Sequence, residues 1–333
     1  KKIALFTNVS ADAVISARDV ANIYRVPLEY HQQGVDQLII ERLGIEAGSL
    51  EFSQWESFVS NFENPEIEVN VALVGKYVDL PDAYKSLNEA LQHAAAHTRT
   101  RVNTHFIDAE EIERKGLQVL DGMDAILVPG GFGTRGSEGK ISAIRYAREQ
   151  RIPFLGICLG MQLAVVEYAR NRADMPAAHS TEFDAETPEP VIAMITEWTN
   201  RDGSRETRDG KTDLGGTMRL GGQRCRLQEG SQVAAIYQRE EIVERHRHRY
   251  EFNPGYLRTL EEHGLRFTGR SVLDSLVEVI EIPDHPWFLG CQYHPEFTSN
   301  PRDGHPLFIS YIAAARAFQT GDAVKEQTEE QRS

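Results

Sequence analysis

The sequence is poor in cysteine, in long apolar runs and in net positive charge. Its 333 residues include only three cysteines, Cys158, Cys225 and Cys291, which are too few for a disulfide framework. This usage is typical of a reducing compartment, so we predict a cytoplasmic protein. No apolar run approaches the roughly 18 residues of a membrane span, and no signal-peptide pattern follows Lys1, so we expect no membrane partner. The formal net charge of −14 argues against nucleic acid as a partner.

Length and local composition indicate two domains. The 333 residues are enough for about two domains with a buried core. The polar segment Asn64-Pro65-Glu66 interrupts regular structure and is typical of a linker. We predict the end of one domain over 1–62, a linker over 63–69, a complete domain over 70–318 and a disordered polar tail over 319–333. Because the first residue is Lys rather than Met, we expect the sequence to be a piece of a longer protein.

Short apolar runs alternate with helix-like segments in the second domain. The first half predicts strands over 69–74, 102–107, 125–128 and 154–157, with helices over 84–96, 110–114 and 141–149. This alternation is typical of an α/β fold with a mostly parallel central sheet flanked by helices. The second half predicts strands over 191–195, 216–220, 233–237, 243–249 and 276–282, then a helix over 306–318. The N-terminal segment is predicted to be a partial α/β segment, with a strand over 2–6 and helices over 31–43 and 53–62.

Cys158 lies in a sharp turn between a predicted strand, 154–157, and a predicted helix that begins near Met161. Gly156 and Gly160 flank it, and glycine tolerates the backbone crowding of such a turn. The pattern is the cysteine counterpart of the Gly-x-Ser-x-Gly nucleophile elbow. A helix N-terminus favours the thiolate, which is the nucleophilic form of cysteine. The alternative is a small buried hydrophobic residue, the usual role of a free cysteine.

His294-Pro295-Glu296 follows the apolar run 287–293 and could supply the base that a cysteine nucleophile needs. In an extended backbone His294 and Glu296 would project to the same side, because residues two apart do so. Glu296 could then accept the imidazole N–H and turn the other ring nitrogen to the thiol. The alternative is a surface turn with a solvated His and Glu.

The glycine-rich segment 129–133 directly follows a predicted strand, so we expect it at the same sheet edge as Cys158. The backbone N–H groups of Gly131 and Leu159 are our candidates for an oxyanion hole. The alternative is an ordinary glycine turn. Together these residues predict attack of a thiolate on a carbonyl, with release of an amine.

The glycine loop at 130–131, the elbow at 156–162 and His294-Pro295-Glu296 occur in the order found in the class I, or triad, glutamine amidotransferases, which the chain resembles. The resemblance implies a three-layer α/β domain that hydrolyses glutamine to glutamate and ammonia. It implies Cys158 as nucleophile, His294 as acid and base, and Glu296 as the residue that orients His294. A γ-glutamyl thioester on the cysteine would be the intermediate.

Further segments resemble the CTP synthase family, namely Val74–Val78, Pro81–Ser86, Ser180–Phe183, Leu214–Gly221, Glu244–Glu251 and His294–Ser299. The resemblance implies a ligase that aminates UTP to CTP with ATP and glutamine-derived ammonia. GTP would activate it, CTP would inhibit it by feedback, and the protein would be a homotetramer. Residues 1–62 would then be the end of the amidoligase domain.

The resemblance also implies binding roles for individual residues. L-glutamine would be bound by Gly131, Leu159, Gly160, Met161, Gln162, Glu182 and Arg249. Glu182 would meet the substrate ammonium and Arg249 its carboxylate, since a zwitterion needs one group of each sign. The alternatives are a surface carboxylate and a solvated basic strand. In the amidoligase part, Lys2 would contact the UTP or CTP nucleotide and Val20 the ATP base.

The sequence predicts no metal site and no covalently bound cofactor in this chain. Gly75-Lys76 lacks the other residues of a phosphate-binding loop, and the arginines between His246 and His248 make a zinc site unattractive. By resemblance, Mg and ATP belong to an amidoligase domain that precedes residue 1, and 134–139 would be a GTP-responsive lid unless it is an ordinary glycine-rich loop. Two rival functions stay open. They are another triad amidotransferase, such as a GMP synthetase glutaminase, and a catalytically silent glutamine-sensing or assembly module.

Overall fold

The structure is a computed structural model that describes residues 1–321 except 49, 77–80, 195–196, 200–204, 208–217 and 274. The chain divides into two compact units, which meet in sequence between Asn64 and Pro65. Parts of the motifs predicted over 74–86 and 214–221, the strand residues 195, 216 and 217, and the tail after Gly321 lie outside the described residues. Gln319 and Thr320, predicted as the start of the tail, belong instead to the helix Pro306–Thr320.

The described part of the N-terminal unit is built from helices. They are α1 (Lys2–Thr7), α2 (Val26–Gln32), α3 (Val35–Leu43) and α4 (Ser53–Glu63). Tyr24 and Phe58 form its small interior, with ring centroids 5.1 Å apart. The helix predicted over 31–43 is interrupted at Gly34, whose φ of 72° lies in the left-handed region and starts α3 anew.

The strand predicted over 2–6 is wrong, because these residues form α1. An apolar run does not by itself distinguish a strand from a helix. A strand also needs a neighbour for its backbone hydrogen bonds, and the described residues of this unit contain no other strand. A helix satisfies those bonds internally. The side chains of Ile3, Leu5 and Phe6 are largely exposed on it.

The second unit contains fourteen strands and seven helices among its described residues. The strands are β1 (Ile67–Gly75), β2 (Thr100–Asp108), β3 (Ala125–Val128), β4 (Phe154–Ile157), β5 (Ala178–Ser180), β6 (Glu189–Met194), β7 (Glu197–Thr199), β8 (Arg205–Thr207), β9 (Arg219–Leu227), β10 (Glu241–His248), β11 (Tyr250–Phe252), β12 (Arg266–Ser271), β13 (Val277–Glu281) and β14 (Phe288–Cys291). The helices are α5 (Lys85–His97), α6 (Ala109–Lys115), α7 (Ser137–Gln150), α8 (Leu159–Arg172), α9 (Gln232–Tyr237), α10 (Leu257–Glu262) and α11 (Pro306–Thr320). No helix in the described residues is long and apolar enough to cross a bilayer.

Nine strands form the central sheet, in the order β10-β9-β12-β13-β14-β4-β3-β1-β2. The five strands from β14 to β2 run parallel to their neighbours, and β10, β9, β12 and β13 extend the sheet through antiparallel pairs. A second sheet joins β11, β6 and β5, and β7 pairs with β8. The predicted α/β fold with helices flanking the sheet is confirmed.

Strands β3 and β4 are interior strands of the sheet and are buried along their whole length. Alternate side chains enter opposite layers, so that Ile126 and Phe154 belong to one apolar cluster and Leu127 and Leu155 to the other. Helices α6, α7 and α8 contribute to the first cluster, and α5 and α11 to the second. Burial on both faces explains why these strands appear as continuous apolar runs in the sequence.

The strand predicted over 233–237 is also wrong, because these residues form α9. Ser231 caps the helix by accepting a hydrogen bond from the Ala234 N–H at 3.2 Å. The Glu281 carboxylate accepts from the N–H of Val233 at 2.7 Å and from that of Gln232 at 3.2 Å. These acceptors satisfy the free N–H groups of the first turn and stabilise the helix.

Candidate active site

Cys158 occupies a strained turn between β4 and α8. Its φ of 53° and ψ of −103° are unusual for a residue with a side chain. Two backbone hydrogen bonds hold the turn: Cys158 N donates to the Cys291 carbonyl at 2.7 Å, and Gln162 N donates to the Cys158 carbonyl at 3.1 Å. The side chain is 4% exposed. Strain of this kind persists only where the surrounding structure fixes it, and it clusters at functional sites.

The two glycines of the elbow allow backbone segments to approach closely. A Cβ at Gly160 would lie 2.0 Å from the Val128 carbonyl oxygen, and a Cβ at Gly156 would lie 2.8 Å from the Gly160 carbonyl carbon. Both distances are too short for non-bonded atoms. The expectation that glycine is needed to relieve crowding beside Cys158 is therefore confirmed.

His294 and Glu296 meet through a buried contact in which His294 Nδ1 lies 2.7 Å from Glu296 Oε1. The backbone that brings them together is a 3-10 turn over Pro295–Phe297, in which Phe297 N donates to the His294 carbonyl at 3.3 Å. The extended backbone that we expected is therefore wrong, although the predicted pairing of the two side chains is present. The apolar run before them ends as β14 at Cys291, and the proline starts the turn.

The remaining ring nitrogen of His294, Nε2, is buried and has no hydrogen-bond partner, sulfur included, within the described part of the chain. Its neighbour is the Cys158 thiol. Burial lowers the pKa of His294, but its interactions with the nearby Cys158 and with Glu296 outweigh burial and raise the pKa to about 10. Gly130 confirms how close the two residues are, because a Cβ there would lie 2.7 Å from His294 Cε1 and 3.5 Å from Cys158 Cβ.

The proposed oxyanion donors lie at the same sheet edge. Leu159 is the first residue of α8, so its N–H belongs to the first turn, where N–H groups lack partners within the helix. A Cβ at Gly131 would lie 3.5 Å from Leu159 Cδ2, which brings the two residues into contact distance. Lys76 Nζ holds the loop by donating to the carbonyls of Phe132, at 2.6 Å, and Gly133, at 3.0 Å. The role of both N–H groups stays a prediction.

Glu182 and Arg249, the two residues expected to bind the charged ends of glutamine, are close enough to influence each other. Glu182 Oε1 accepts a hydrogen bond from Gly133 N at 2.8 Å. Burial raises the pKa of Glu182, against that hydrogen bond and the charges of Lys76 and Arg249. The Nε atom of Arg249 is buried and has no hydrogen-bond partner within the residues that the structure describes.

The other residues expected to line the glutamine pocket differ in what their side chains can do. Met161 is completely buried, and its side chain belongs to the apolar core. Gln162 is 3% exposed and donates from Nε2 to the Tyr250 carbonyl at 2.7 Å. Lys2 and Val20 lie in the N-terminal unit, Lys2 on α1 and Val20 between regular elements. Their nucleotide-binding roles stay predictions.

Gln292 and Lys140 were missed in the sequence, and Gly130 was recognised only as part of the glycine loop, without its role in the packing of the site. Gly130 leaves room for His294 and Cys158, as described above. Gln292 is fully buried, with Nε2 3.7 Å from Cys158 Sγ, and is a polar residue within the apolar run 287–293. Lys140 is 2% exposed, and burial, helped by repulsion from Lys76, lowers its pKa to about 8. The sequence pattern that could have indicated Lys140 is its helical spacing from Ile144 and Ala147, which places a charged residue on the apolar face of α7.

The paired histidines of β10 are buried behind the site. His246 Nδ1 and His248 Nε2 lie 2.9 Å apart, and burial holds the pKa of both well below the ordinary value. No group of three His, Cys, Asp or Glu side chains suited to a metal ion occurs in the described ranges. In the predicted lid, 137–139 belong to the first turn of α7, and a Cβ at Gly139 would lie 1.9 Å from the Ala109 carbonyl oxygen. This half of the segment is tightly packed helix rather than a loop.

The chain is similar to two known protein families and to several solved structures. The family model for glutamine amidotransferase class-I matches residues 79–314, and the family model for the CTP synthase N-terminus matches residues 1–45. The glutaminase domain of Trypanosoma brucei CTPS, solved with bound acivicin, is 35% identical. The match covers 74% of this chain and 94% of that domain, with a TM-score of 0.66.

Two other solved structures have lower similarity. A glutamine amidotransferase from Methylobacillus flagellatus is 13% identical over 70% of each chain, with a TM-score of 0.39. Another from Thermotoga maritima is 13% identical over 76% of this chain and 92% of that chain, with a TM-score of 0.37. Neither adds to the assignment at these values.

The fold, the cysteine elbow and the first family match define the class: this chain is a class I glutamine amidotransferase. Within that class it belongs to the CTP synthase family, which the match to residues 1–45 and the 35% identical glutaminase domain identify.

Proposed function

We propose that the chain carries the glutamine-hydrolysing half of a CTP synthase, with Cys158 as nucleophile, His294 as acid and base and Glu296 as the orienting carboxylate. The observation that carries the proposal is the buried contact of 2.7 Å between His294 Nδ1 and Glu296 Oε1 beside the strained Cys158 elbow. With Nδ1 held by Glu296, Nε2 is the ring nitrogen that would exchange a proton with the substrate and the thiol, and the raised pKa of His294 favours its imidazolium form.

The reaction begins with glutamine bound by its two charged ends, the ammonium at Glu182 and the carboxylate at Arg249. The Cys158 thiolate attacks the side-chain carbonyl carbon, and the N–H groups of Gly131 and Leu159 stabilise the oxyanion that forms. His294 gives its Nε2 proton to the leaving amine, so ammonia departs and a γ-glutamyl thioester remains. Neutral His294 then takes a proton from water, which attacks the thioester. Glutamate leaves, and the thiolate and imidazolium are restored.

The ammonia would aminate UTP to CTP in an ATP-dependent ligase reaction. Support comes from the match of residues 1–45 to the CTP synthase N-terminus and from the related domain, whose ligand acivicin is a glutamine analogue. Mg and ATP would act in the amidoligase part. Activation by GTP, feedback inhibition by CTP, a homotetramer and a cytoplasmic location belong to the same proposal and rest on the family resemblance.

Two assays on the full-length protein test the proposal. The first measures glutamate formed from glutamine, in the unaltered protein and in the variants Cys158→Ala and Cys225→Ala. We expect loss of activity only in Cys158→Ala, because Cys225 is buried in the core and burial raises its pKa. The second measures CTP formed from UTP, ATP, Mg and glutamine, with and without GTP. A folded protein that makes no glutamate would be a silent module, and glutamate without CTP would indicate another triad amidotransferase.

A further inference from the structure

Gln292 places a side-chain amide against the nucleophile. It follows β14 directly, and its backbone N–H donates to the Glu278 carbonyl at 2.8 Å, which anchors it beside β13. Its side chain is completely buried, and its Nε2 lies 3.7 Å from Cys158 Sγ. This distance is within hydrogen-bonding range for an N–H donor and sulfur. A buried amide without water needs protein partners for both of its ends.

A second glutamine fixes which end of the Gln292 amide faces the sulfur. Gln162 Nε2 donates to the Tyr250 carbonyl at 2.7 Å, and a carbonyl can only accept, so the nitrogen end of Gln162 is determined. The same nitrogen donates to Gln292 Oε1 at 3.1 Å. Gln292 therefore turns its oxygen to Gln162 and its NH₂ group to Cys158. This network assigns the amide orientation chemically.

The strength of the contact depends on the charge of the sulfur. A hydrogen bond from a neutral donor to an ionised acceptor is about twice as strong as one between neutral groups. The Gln292 N–H therefore stabilises the thiolate more than the thiol. The amide also restricts the position of the sulfur. The sulfur lies 4.0 Å from the Arg247 carbonyl oxygen as well. The amide achieves this without adding a charge to the site.

We propose that Gln292 donates a hydrogen bond to the Cys158 thiolate and holds the sulfur ready for attack, while Gln162 positions the Gln292 amide. The inference rests on the proposed function, in which Cys158 is the nucleophile. If Gln292 were purely structural, it would accept the hydrogen bond from Gln162 and fill space in the core, but it would not affect the reactivity of the Cys158 thiol. The two roles therefore differ in the dependence of that reactivity on pH.

The test measures alkylation of Cys158 by iodoacetamide over a range of pH, with the modified peptide quantified by mass spectrometry. The variant Gln292→Met keeps a similar volume and removes the donor. In Gln292→Met we expect alkylation to be about ten- to hundredfold slower on the acidic limb of the profile. Loss of a hydrogen bond to a charged group changes an equilibrium, here thiolate formation, by about that factor. At high pH the rates should converge, so the half-maximal point moves to higher pH. The kcat/KM for glutamine hydrolysis should also fall in this variant.

The matched control is Gln92→Met, since Gln92 donates its amide to the Val102 carbonyl on a different element. It should leave the profile unchanged. If Gln292→Met does not fold, Gln162→Met replaces it, with a smaller shift in the same direction. An unshifted profile, or a rate lowered by one factor at every pH, would overturn the proposal. A protein that hydrolyses no glutamine would instead refute the proposed function, while the alkylation profiles would still decide the role of Gln292.

Discussion

Ile157 and Cys291 lie opposite each other across the parallel strands β4 and β14. Both strands end at these residues, and the Cys291 carbonyl accepts the N–H of Cys158 at 2.7 Å. The next residue after Ile157 is Cys158, and the third after Cys291 is His294. One register between two strands therefore brings the candidate nucleophile and its imidazole to the same sheet edge.

Gly130 is the most sensitive position of the glycine loop. In Gly130→Ala the new Cβ would lie 2.7 Å from His294 Cε1, and His294 is too buried to move freely. We expect glutaminase activity to fall about 100-fold or more, because small displacements of reacting groups have effects of that size. Glutamate release assays measure this directly.

The matched comparison is Gly131→Ala in the same loop. Its Cβ would meet Leu159 Cδ2 at 3.5 Å, an ordinary contact, and its N–H would remain. We expect a much smaller loss than in Gly130→Ala. Equal activity in both variants would contradict the close approach of His294 and Cys158 over Gly130.

His294 should titrate far from the usual range of histidine. Interactions with Cys158 and Glu296 raise its pKa to about 10 in spite of burial, whereas burial lowers the pKa of His285 to about 4. Imidazole NMR shifts followed over pH should separate the two residues in one spectrum. In Glu296→Gln one of the causes is lost, so the pKa of His294 should fall. A pKa of His294 near 6.5 in the unaltered protein would contradict the pairing.

The raised pKa of His294 also has a consequence for stability. A group whose folded pKa exceeds its unfolded value of about 6.5 stabilises the folded state fully below that pH. The contribution is lost as the pH rises through about 10. Chemical denaturation should therefore give a larger difference in unfolding free energy between the unaltered protein and Glu296→Gln at pH 6 than at pH 10.5. A difference independent of pH would count against this origin.

Lys140 should destabilise the protein at neutral pH. Its folded pKa of about 8 lies below the unfolded value of about 10.4, so protonation of the folded state is penalised. The destabilisation is therefore relieved as the pH increases from about 8 to about 10.4, and the free energy of unfolding rises over that range. Lys140→Met should raise the unfolding free energy at pH 7 by on the order of 2–3 kcal/mol, with little gain at pH 10.5. Lys85→Met, at an exposed position of α5, should change it by about 0.5 kcal/mol or less.

Loss of stability in Lys140→Met at pH 7 would show instead that its ammonium group is needed where it lies. The same two variants, assayed for glutamine hydrolysis, would then report whether its charge also supports the neighbouring glycine loop.

The sequence predicted the parts of the site that depend on local pattern. β3 and β4 are bounded as expected, because buried central strands form uninterrupted apolar runs. The predictions of strands at 2–6 and 233–237 were wrong. A short apolar run is compatible with a strand or a helix, and its tertiary surroundings determine which of the two forms. Glu281 reaches the first turn of α9 from a distant strand, so no local signal could announce it.

The same distinction separates the site residues that the sequence revealed from those it did not. Cys158 and His294 stood in recognisable motifs. Gln292 gains its role from Gln162 and Cys158, which are more than one hundred positions away in the chain. A polar residue inside an apolar run is the pattern that could have indicated it, because such a residue, once buried, needs a specific partner.

The most direct test of the central claim is covalent trapping of the nucleophile. A chloroketone analogue of glutamine is incubated with the protein, and the labelled peptide is mapped by mass spectrometry. The account predicts one adduct on Cys158 that excess glutamine suppresses and that Cys158→Ala abolishes. Labelling of Cys225 or Cys291 with Cys158 untouched would contradict it.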